Sequence, residues 1–393
     1  MTTKNGFTRR SFLRATSGIG ASALFAPMIG TGLTRRAFAQ SADVIRILVT
    51  APTMNLTDWS AFEAETGLKT DVTIIKDDPG LFLNEIMVND GGERFDIITT
   101  LGGTEKVLAA GGFTIPLDTS MMPNWDGVQK TISEGSLTKV DGKIWSIPYG
   151  MNADSFGYLP ETLGLPEPPE EISWATVFDN EKAMGKTSMG DTYVYLQIFA
   201  AYCKATGKLD IANIESLTGA EAEKAADLLI DRKKAGQFRN FWSQFDDQVN
   251  DIKNGEVYAT ACWEPAVIES RKAGVNVQYA STKECYWKWM YTSQIPAQVA
   301  DRGNAENVYK ALNWFMGGTF ATLLTPTRGY VTARPDLGKQ LVQEKGLGAD
   351  ISDAIDIAVS KVEKKFSKEM FWFDNRPEHL DEIIPAMDRV KAA

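Results

Sequence analysis

The chain has 393 residues, with 41 Lys plus Arg against 51 Asp plus Glu, a net charge of −10 and a pI near 4.9. This acidic balance excludes a surface devoted to nucleic-acid phosphates, and the length allows two or three domains of a soluble, globular kind. One histidine, His379, and three cysteines leave too few ligands for zinc or for histidine-based acid–base chemistry, so neither metal nor cofactor is expected.

Residues 1–39 read as a targeting segment. Thr8-Arg9-Arg10-Ser11-Phe12-Leu13-Arg14 is followed by a weakly apolar run, Ala15 to Leu33, interrupted by Gly18, Gly20, Gly30 and Gly32. The pattern resembles a twin-arginine export signal. Ala37-Phe38-Ala39 supplies the small residues that a signal peptidase needs, predicting cleavage between Ala39 and Gln40 and an acidic periplasmic protein. A membrane anchor would need about 20 strongly apolar residues, and the glycines dilute this run too far. Cys203, Cys262 and Cys285 are an odd set. A protein that folds in the reducing cytoplasm before export has little use for a disulfide, so all three are expected as small buried apolar residues.

The mature chain opens with alternating strands and helices. Val44 to Val49 predicts a strand, Asn55 to Thr66 a helix ending at Gly67, and Lys69 to Ile75 a second strand. Gly80 to Val88 predicts a helix, Phe95 to Thr99 a third strand before Gly102-Gly103, and Glu105 to Ala110 a helix closed by Gly111-Gly112. This order predicts an α/β fold with a mainly parallel sheet covered on both faces and ligands outside the carboxyl ends of its strands. Lys143 to Tyr149 and Ser155 to Tyr158 read as strand pieces around Pro148 and Gly150, before a Pro-rich passage to a second lobe. Helices are expected over Val194–Ala205 and Thr218–Ala235, strands over Val257–Ala261 and Val275–Ala280, and a return crossing over Tyr286–Pro296. Asn304 to Met316 and the charged tail from Asp350 to Lys391 complete the helical set.

Familiar catalytic motifs are missing. Met184-Gly185-Lys186-Thr187 ends like a phosphate-binding loop, but Asn180 stands where the first glycine belongs. There is no Gly-x-Ser-x-Gly elbow, so an enzyme is not expected. The ten tryptophans say more. Trp59, Trp263 and Trp287, with Tyr149, Tyr193, Tyr286 and Tyr330, sit at segment ends where an open sheet collects its ligand, and such rings can hold an ammonium group. Trp174, Trp314 and Trp372 lie in helix-like patterns and are assigned to the core.

Several segments together carry a family likeness: Phe95-Asp96-Ile97-Ile98, Ala109 to Asp118, Gly142 to Tyr149, Ser173 to Phe178, Gly185-Lys186 leading to Asp191, Asn254-Gly255-Glu256-Val257 leading to Trp263, and Ala305 to Phe315. In this order and spacing the chain resembles the periplasmic solute-binding proteins of ABC importers, of the spermidine/putrescine-binding type. The resemblance runs from Ile45 to about Arg334 and implies a hinged, two-lobed periplasmic-binding-protein fold of type II. Lobe 1 would comprise residues 40–150 with about 291–335, lobe 2 residues 151–290, and residues 336–393 would be helices packing on the lobes.

The resemblance implies a small-molecule solute, cationic and polyamine-like, and a cognate ABC permease in the inner membrane, with the binding protein itself a monomer. Trp59 and Thr104 would contribute from lobe 1, and Asp191, Trp263, Glu264 and Trp287 from lobe 2 or the hinge. Asp191 or Glu264 would be the charge partner, and Trp263 and Trp287 would face one another across the solute. The match loosens at specificity: Tyr193, Val194 and Tyr195 stand where a second acid is expected, and Glu284-Cys285 is followed by Tyr286-Trp287-Lys288-Trp289. Such bulky residues favour a smaller amine, a quaternary ammonium compound or an amino-acid-like or opine solute. A secreted enzyme or a sensor component on the same fold are the alternatives.

Overall fold

The computed structural model describes residues 43–367, 371–372 and 379–393. The expected signal, its cleavage site and the side chain of Trp372 lie outside the described residues. In chain order the strands are β1 (Val44–Thr50), β2 (Lys69–Ile75), β3 (Ile97–Leu101), β4 (Lys139–Val140), β5 (Lys143–Ile144), β6 (Ile147–Tyr158), β7 (Glu171–Ile172), β8 (Thr187–Gly190), β9 (Phe238–Trp242), β10 (Ala259–Cys262), β11 (Gln278–Tyr279), β12 (Ser281–Thr282), β13 (Trp287–Gln294) and β14 (Phe371–Trp372). The main sheet has the order β2-β1-β3-β13-β6-β10-β8-β9, with β11 joined to β6 and β14 to β13.

Both flanks are parallel, β2-β1-β3 on one side and β10-β8-β9 on the other. The centre is antiparallel, because β13 pairs with both β3 and β6, and β6 pairs with β10. β6 and β13 therefore run from one flank to the other, giving the two-lobed α/β fold its shared central strands. The periodicity of β1 shows how the flank is covered. Ile45, Ile47 and Val49 enter the core that contains Phe62, whereas Leu48 enters a second core with Phe82, Leu83 and Leu108.

Two expectations change on contact with the structure. The pieces expected around Pro148 and Gly150 form one continuous buried strand of 12 residues. Pro148 is tolerated because it lies beside the register shift at Tyr291/Thr292, where the ladder is already irregular. The helix expected from Asn55 begins at Ser60, where the Asp58 carboxylate accepts from the Ser60 N–H at 2.8 Å. It ends as expected at Gly67, which has φ of 71°. Asp141-Gly142 turns β4 into β5 with both residues at positive φ, the two-residue hairpin turn that this dipeptide favours.

Thr218 and Glu221 form a reciprocal capping box at the start of the helix Gly219–Lys234. Trp174 is fully buried and donates to the Cys285 carbonyl at 2.8 Å, and all three cysteines are buried and outside any disulfide. The helix Ala349–Phe366 packs on β6, and the helix Leu380–Ala392 packs on Gly219–Lys234, where Arg389 meets Glu223 and Asp227. Among the described residues no helix is long and apolar enough to cross a membrane.

Candidate functional site

A narrow cleft holding about 270 Å³ of empty space opens where the carboxyl ends of the parallel strands meet the crossing strands. Ala51 directly follows β1, and the turn beyond it supplies Thr53 and Met54; Asp77 follows β2, and Leu101 ends β3. The opposite flank supplies Trp263, directly after β10 and ahead of the helix Glu264–Lys272. Between them β6 contributes Asp154, β13 contributes Trp287, Trp289 and Tyr291, and Tyr330 closes the wall. Residues 287, 289 and 291 are two apart on one strand, so pleating alone turns all three rings to the same side.

The cleft is aromatic and acidic. The Trp289 ring lies edge-on to Tyr330 at 4.8 Å and to Tyr291 at 5.7 Å. Trp263 stacks on Phe245 at 6.2 Å and meets Trp242 edge-on at 5.7 Å, which fixes its ring from behind. Trp289 Nε1 donates to Asp154 Oδ1 at 2.7 Å. Burial pushes the Asp154 carboxyl up to about 7; Trp289 and Lys365 oppose that rise, while Asp77 and Glu264 add to it. Burial likewise raises Asp77 to about 6, against the hydroxyls of Tyr291 and Thr50. Among the described residues neither Asp77 nor Asp154 has an ion-pair partner: no Lys or Arg nitrogen comes within salt-bridge distance of them. Two carboxyls beside a wall of indoles are groups that can pair with a cation.

The residues expected from sequence divide between this cleft and other places. Trp263, Trp287 and Tyr330 line it together. Glu264 is buried next to it but engaged: Lys361 Nζ lies 3.0 Å from Oε1, Asn152 Nδ2 donates to Oε2 at 2.8 Å, and Lys365 Nζ stands 3.7 Å away. Against its burial, Lys365 and Lys361 hold the Glu264 carboxyl below the usual range. Asp191 accepts from Ser243 Oγ at 2.7 Å and is not in the lining. Tyr193 begins the helix Tyr193–Ala205 and is half-buried.

Tyr149 belongs to the core beneath the cleft, its hydroxyl donating to the Met54 carbonyl at 3.0 Å and its ring against Phe315 and Phe320. Tyr286 is buried, its hydroxyl accepting from the Thr282 N–H at 2.8 Å. Trp59 stands ahead of the helix Ser60–Thr66, with its ring on Phe62 and Phe315, and Thr104 is buried ahead of Glu105–Ala110. None of these four is in the lining. Sequence reading passed over Asp77, Asp154, Trp289 and Tyr291. The signals that could have found them are an acid directly beyond a strand's carboxyl end and the alternate aromatics of residues 287–291.

Residues 59–345 match the model of the bacterial extracellular solute-binding protein family. The fold is similar to a protein assigned as a spermidine/putrescine ABC transporter from Listeria monocytogenes, at 17% identity and a TM-score of 0.66, over 89% of this chain and 99% of that one. It is similar to the spermidine/putrescine substrate-binding protein PotD from Streptococcus pneumoniae, at 15% identity and a TM-score of 0.64, over 89% and 100% of the two chains. It is also similar to the binding protein MotA from A. tumefaciens B6 in complex with glucopine, at 14% identity and a TM-score of 0.62, over 88% and 99%. With more than half its length matched, the chain belongs to the bacterial extracellular solute-binding protein family.

Proposed function

We propose that this protein is the periplasmic solute-binding component of an ABC importer and that its solute is a compact organic cation, an amine or a quaternary ammonium ion. The observation that carries the reading is the pair Asp77 and Asp154: two carboxyls shifted upward by burial, without an ion-pair partner among the described residues, behind Trp263, Trp287 and Trp289. A cation in that space would gain charge-assisted contacts and indole faces together. The three tryptophans that crowd the cleft, Trp263, Trp287 and Trp289, favour a short solute over a long polyamine.

Capture proceeds by population shift. Asp77 and Met54 belong to the first flank and Trp263 to the second. A solute that touches both stabilises the closed form, the motion being absorbed where β6 and β13 pass between flanks, and an inner-membrane permease then reads the closed form. The test is a thermal-shift screen of the protein from Gln40 onward against amines, betaines, opines, amino acids and sugars. A ligand at 100 times its Kd adds about 2.7 kcal/mol, a readable rise in Tm. An amine or quaternary ammonium compound is expected to give it; a rise with sugars or acidic amino acids alone would overturn the reading.

Export by the twin-arginine route is part of the same proposal. Replacing Arg9 and Arg10 by Lys is expected to hold the precursor inside the cell. Normal delivery of that variant to the periplasm, followed by immunoblotting of cell fractions, would refute the route.

A further inference from the structure

Beside the cleft lies a buried charge that solute capture, as described, does not use. Lys365 comes from the helix Ala349–Phe366 and is only 5% exposed. Its Nζ donates to Asn152 Oδ1 and to the Ala153 carbonyl, each at 2.9 Å, and stands 3.7 Å from Glu264 Oε2. The rings of Tyr279 and Tyr286 face it at 4.7 Å and 5.9 Å. Burial lowers the pKa of its ammonium group, and the two hydrogen bonds, with the Glu264 carboxylate beyond them, favour the charged form against that burial.

The two segments it ties together are the ones that carry the cleft. Asn152 and Ala153 lead directly into Asp154 on β6, and Glu264 follows Trp263. Asn152 closes the loop by donating to Glu264 Oε2 at 2.8 Å. We propose that Lys365 is a positioning residue for the solute cleft: it holds Asp154 and Trp263 in their cleft-facing arrangement and brings a positive charge, outside salt-bridge distance, to the neighbourhood of Asp154. This inference rests on the amine-binding reading for its purpose, but not for its structural content.

The titratable groups facing Asp154 are Lys365, Asp77, Glu264, the phenols of Tyr195, Tyr279 and Tyr330, and the Cys262 thiol. Burial raises the phenols and the thiol, which keeps them neutral near pH 7. Lys365 is the positive member of that set, and Asp77 and Glu264 are negative. Removing Lys365 therefore makes Asp154 harder to ionise, and removing the Glu264 charge makes it easier. A merely structural role would lower stability in both variants without moving Asp154 in opposite directions.

The experiment follows the Asp154 carboxyl carbon by NMR against pH in the wild type, K365M, E264Q and the double variant, with D154N to assign the signal. Putrescine and tetramethylammonium are titrated into each by calorimetry at pH 7 and pH 9. K365M is expected to raise the Asp154 midpoint by about one pH unit and E264Q to lower it. From a midpoint near 7, that rise cuts the ionised fraction at pH 7, and with it amine affinity, about fivefold, with recovery at pH 9. Should K365M fail to fold, the double variant removes both charges together, and its midpoint is expected above that of E264Q alone.

An unchanged midpoint on loss of Lys365, or movement in the same direction in K365M and E264Q, overturns the proposal. Midpoints that move as stated, in a wild type that binds neither probe, uphold the role of Lys365 toward Asp154 and sink the amine reading instead.

Discussion

Asp154→Asn is expected to weaken binding of a small amine by about ten- to a hundredfold, because a charge-assisted contact in a closed site contributes about 1.5 to 3 kcal/mol. Asn keeps the shape and can still accept from Trp289 Nε1, which bonds Asp154 Oδ1 at 2.7 Å, so the loss reports charge and not packing. Asp77→Asn acts in the same direction. Glu264→Gln is the contrasting variant: Glu264 already faces Lys361 at 3.0 Å, so its amide costs melting temperature and leaves amine affinity within a few-fold of the wild type.

The same chemistry sets a pH dependence. Asp154 lies near 7 and Asp77 near 6 in the free protein, so a cationic solute binds with proton release, and affinity falls as pH drops from 8 to 5. Calorimetry in buffers of different ionisation enthalpy counts those protons. Affinity that is level across this range, or an Asp154→Asn variant that binds as the wild type does, would remove Asp154 from the solute's charge partners.

How much of this was visible in the sequence depended on whether the signal was local. β2 from Lys69 to Ile75 and the helix Glu105–Ala110 match their expected bounds residue for residue, since hydrophobic alternation and flanking glycines specify them without help from the rest of the chain. β6 did not read as one strand, because Pro148 and Gly150 are breakers by local rules. Only the irregular partner at Tyr291/Thr292 makes Pro148 acceptable. The candidate site divides in the same way. Trp263 and Trp287 stood out as aromatics at segment ends. Glu264 could not be set aside as a charge partner, nor Asp154 found, because the difference is made by Lys361 and Lys365, about 100 and 200 residues further along.

A second large effect is expected on stability without any solute. Asp77 and Asp154 have folded-state values raised above the ordinary carboxylate value of 3.8. Glu105, buried and accepting from the Gly103 N–H at 2.7 Å, is raised by burial from 4.5 to about 7. For a carboxyl raised on folding, the native state holds the proton over the interval in which the unfolded chain has lost it. The unfolded state thus binds fewer protons between about pH 4 and 7, and stability declines as pH rises through that window. Glu264, held low by Lys365 and Lys361, has the opposite sign: its contribution is present above its unfolded value and is lost only at stronger acidity, as pH falls through its folded value.

The lowered buried carboxyls, Asp96 and Glu264, change their contribution only below about pH 4, so between pH 5 and pH 8 the raised groups decide, and the solute-free protein is expected to melt at a higher temperature at pH 5 than at pH 8. The difference is on the order of a few kcal/mol, since a tenfold change in a carboxyl's acidity on folding is worth about 1.4 kcal/mol. A bound amine reverses the trend at the cleft, because it stabilises the ionised forms of Asp77 and Asp154, so its effect on Tm is larger at pH 8 than at pH 5. Calorimetric melting of the wild type and of an Asp77→Asn/Asp154→Asn variant separates the contributions. The variant should lose most of the pH 5 advantage and keep the part due to Glu105, which packs against Thr292 away from the cleft lining. A wild type that melts lower at pH 5 than at pH 8 would mean that Asp77 and Asp154 are ionised without a solute, and the cleft would then have no stored preference for a cation.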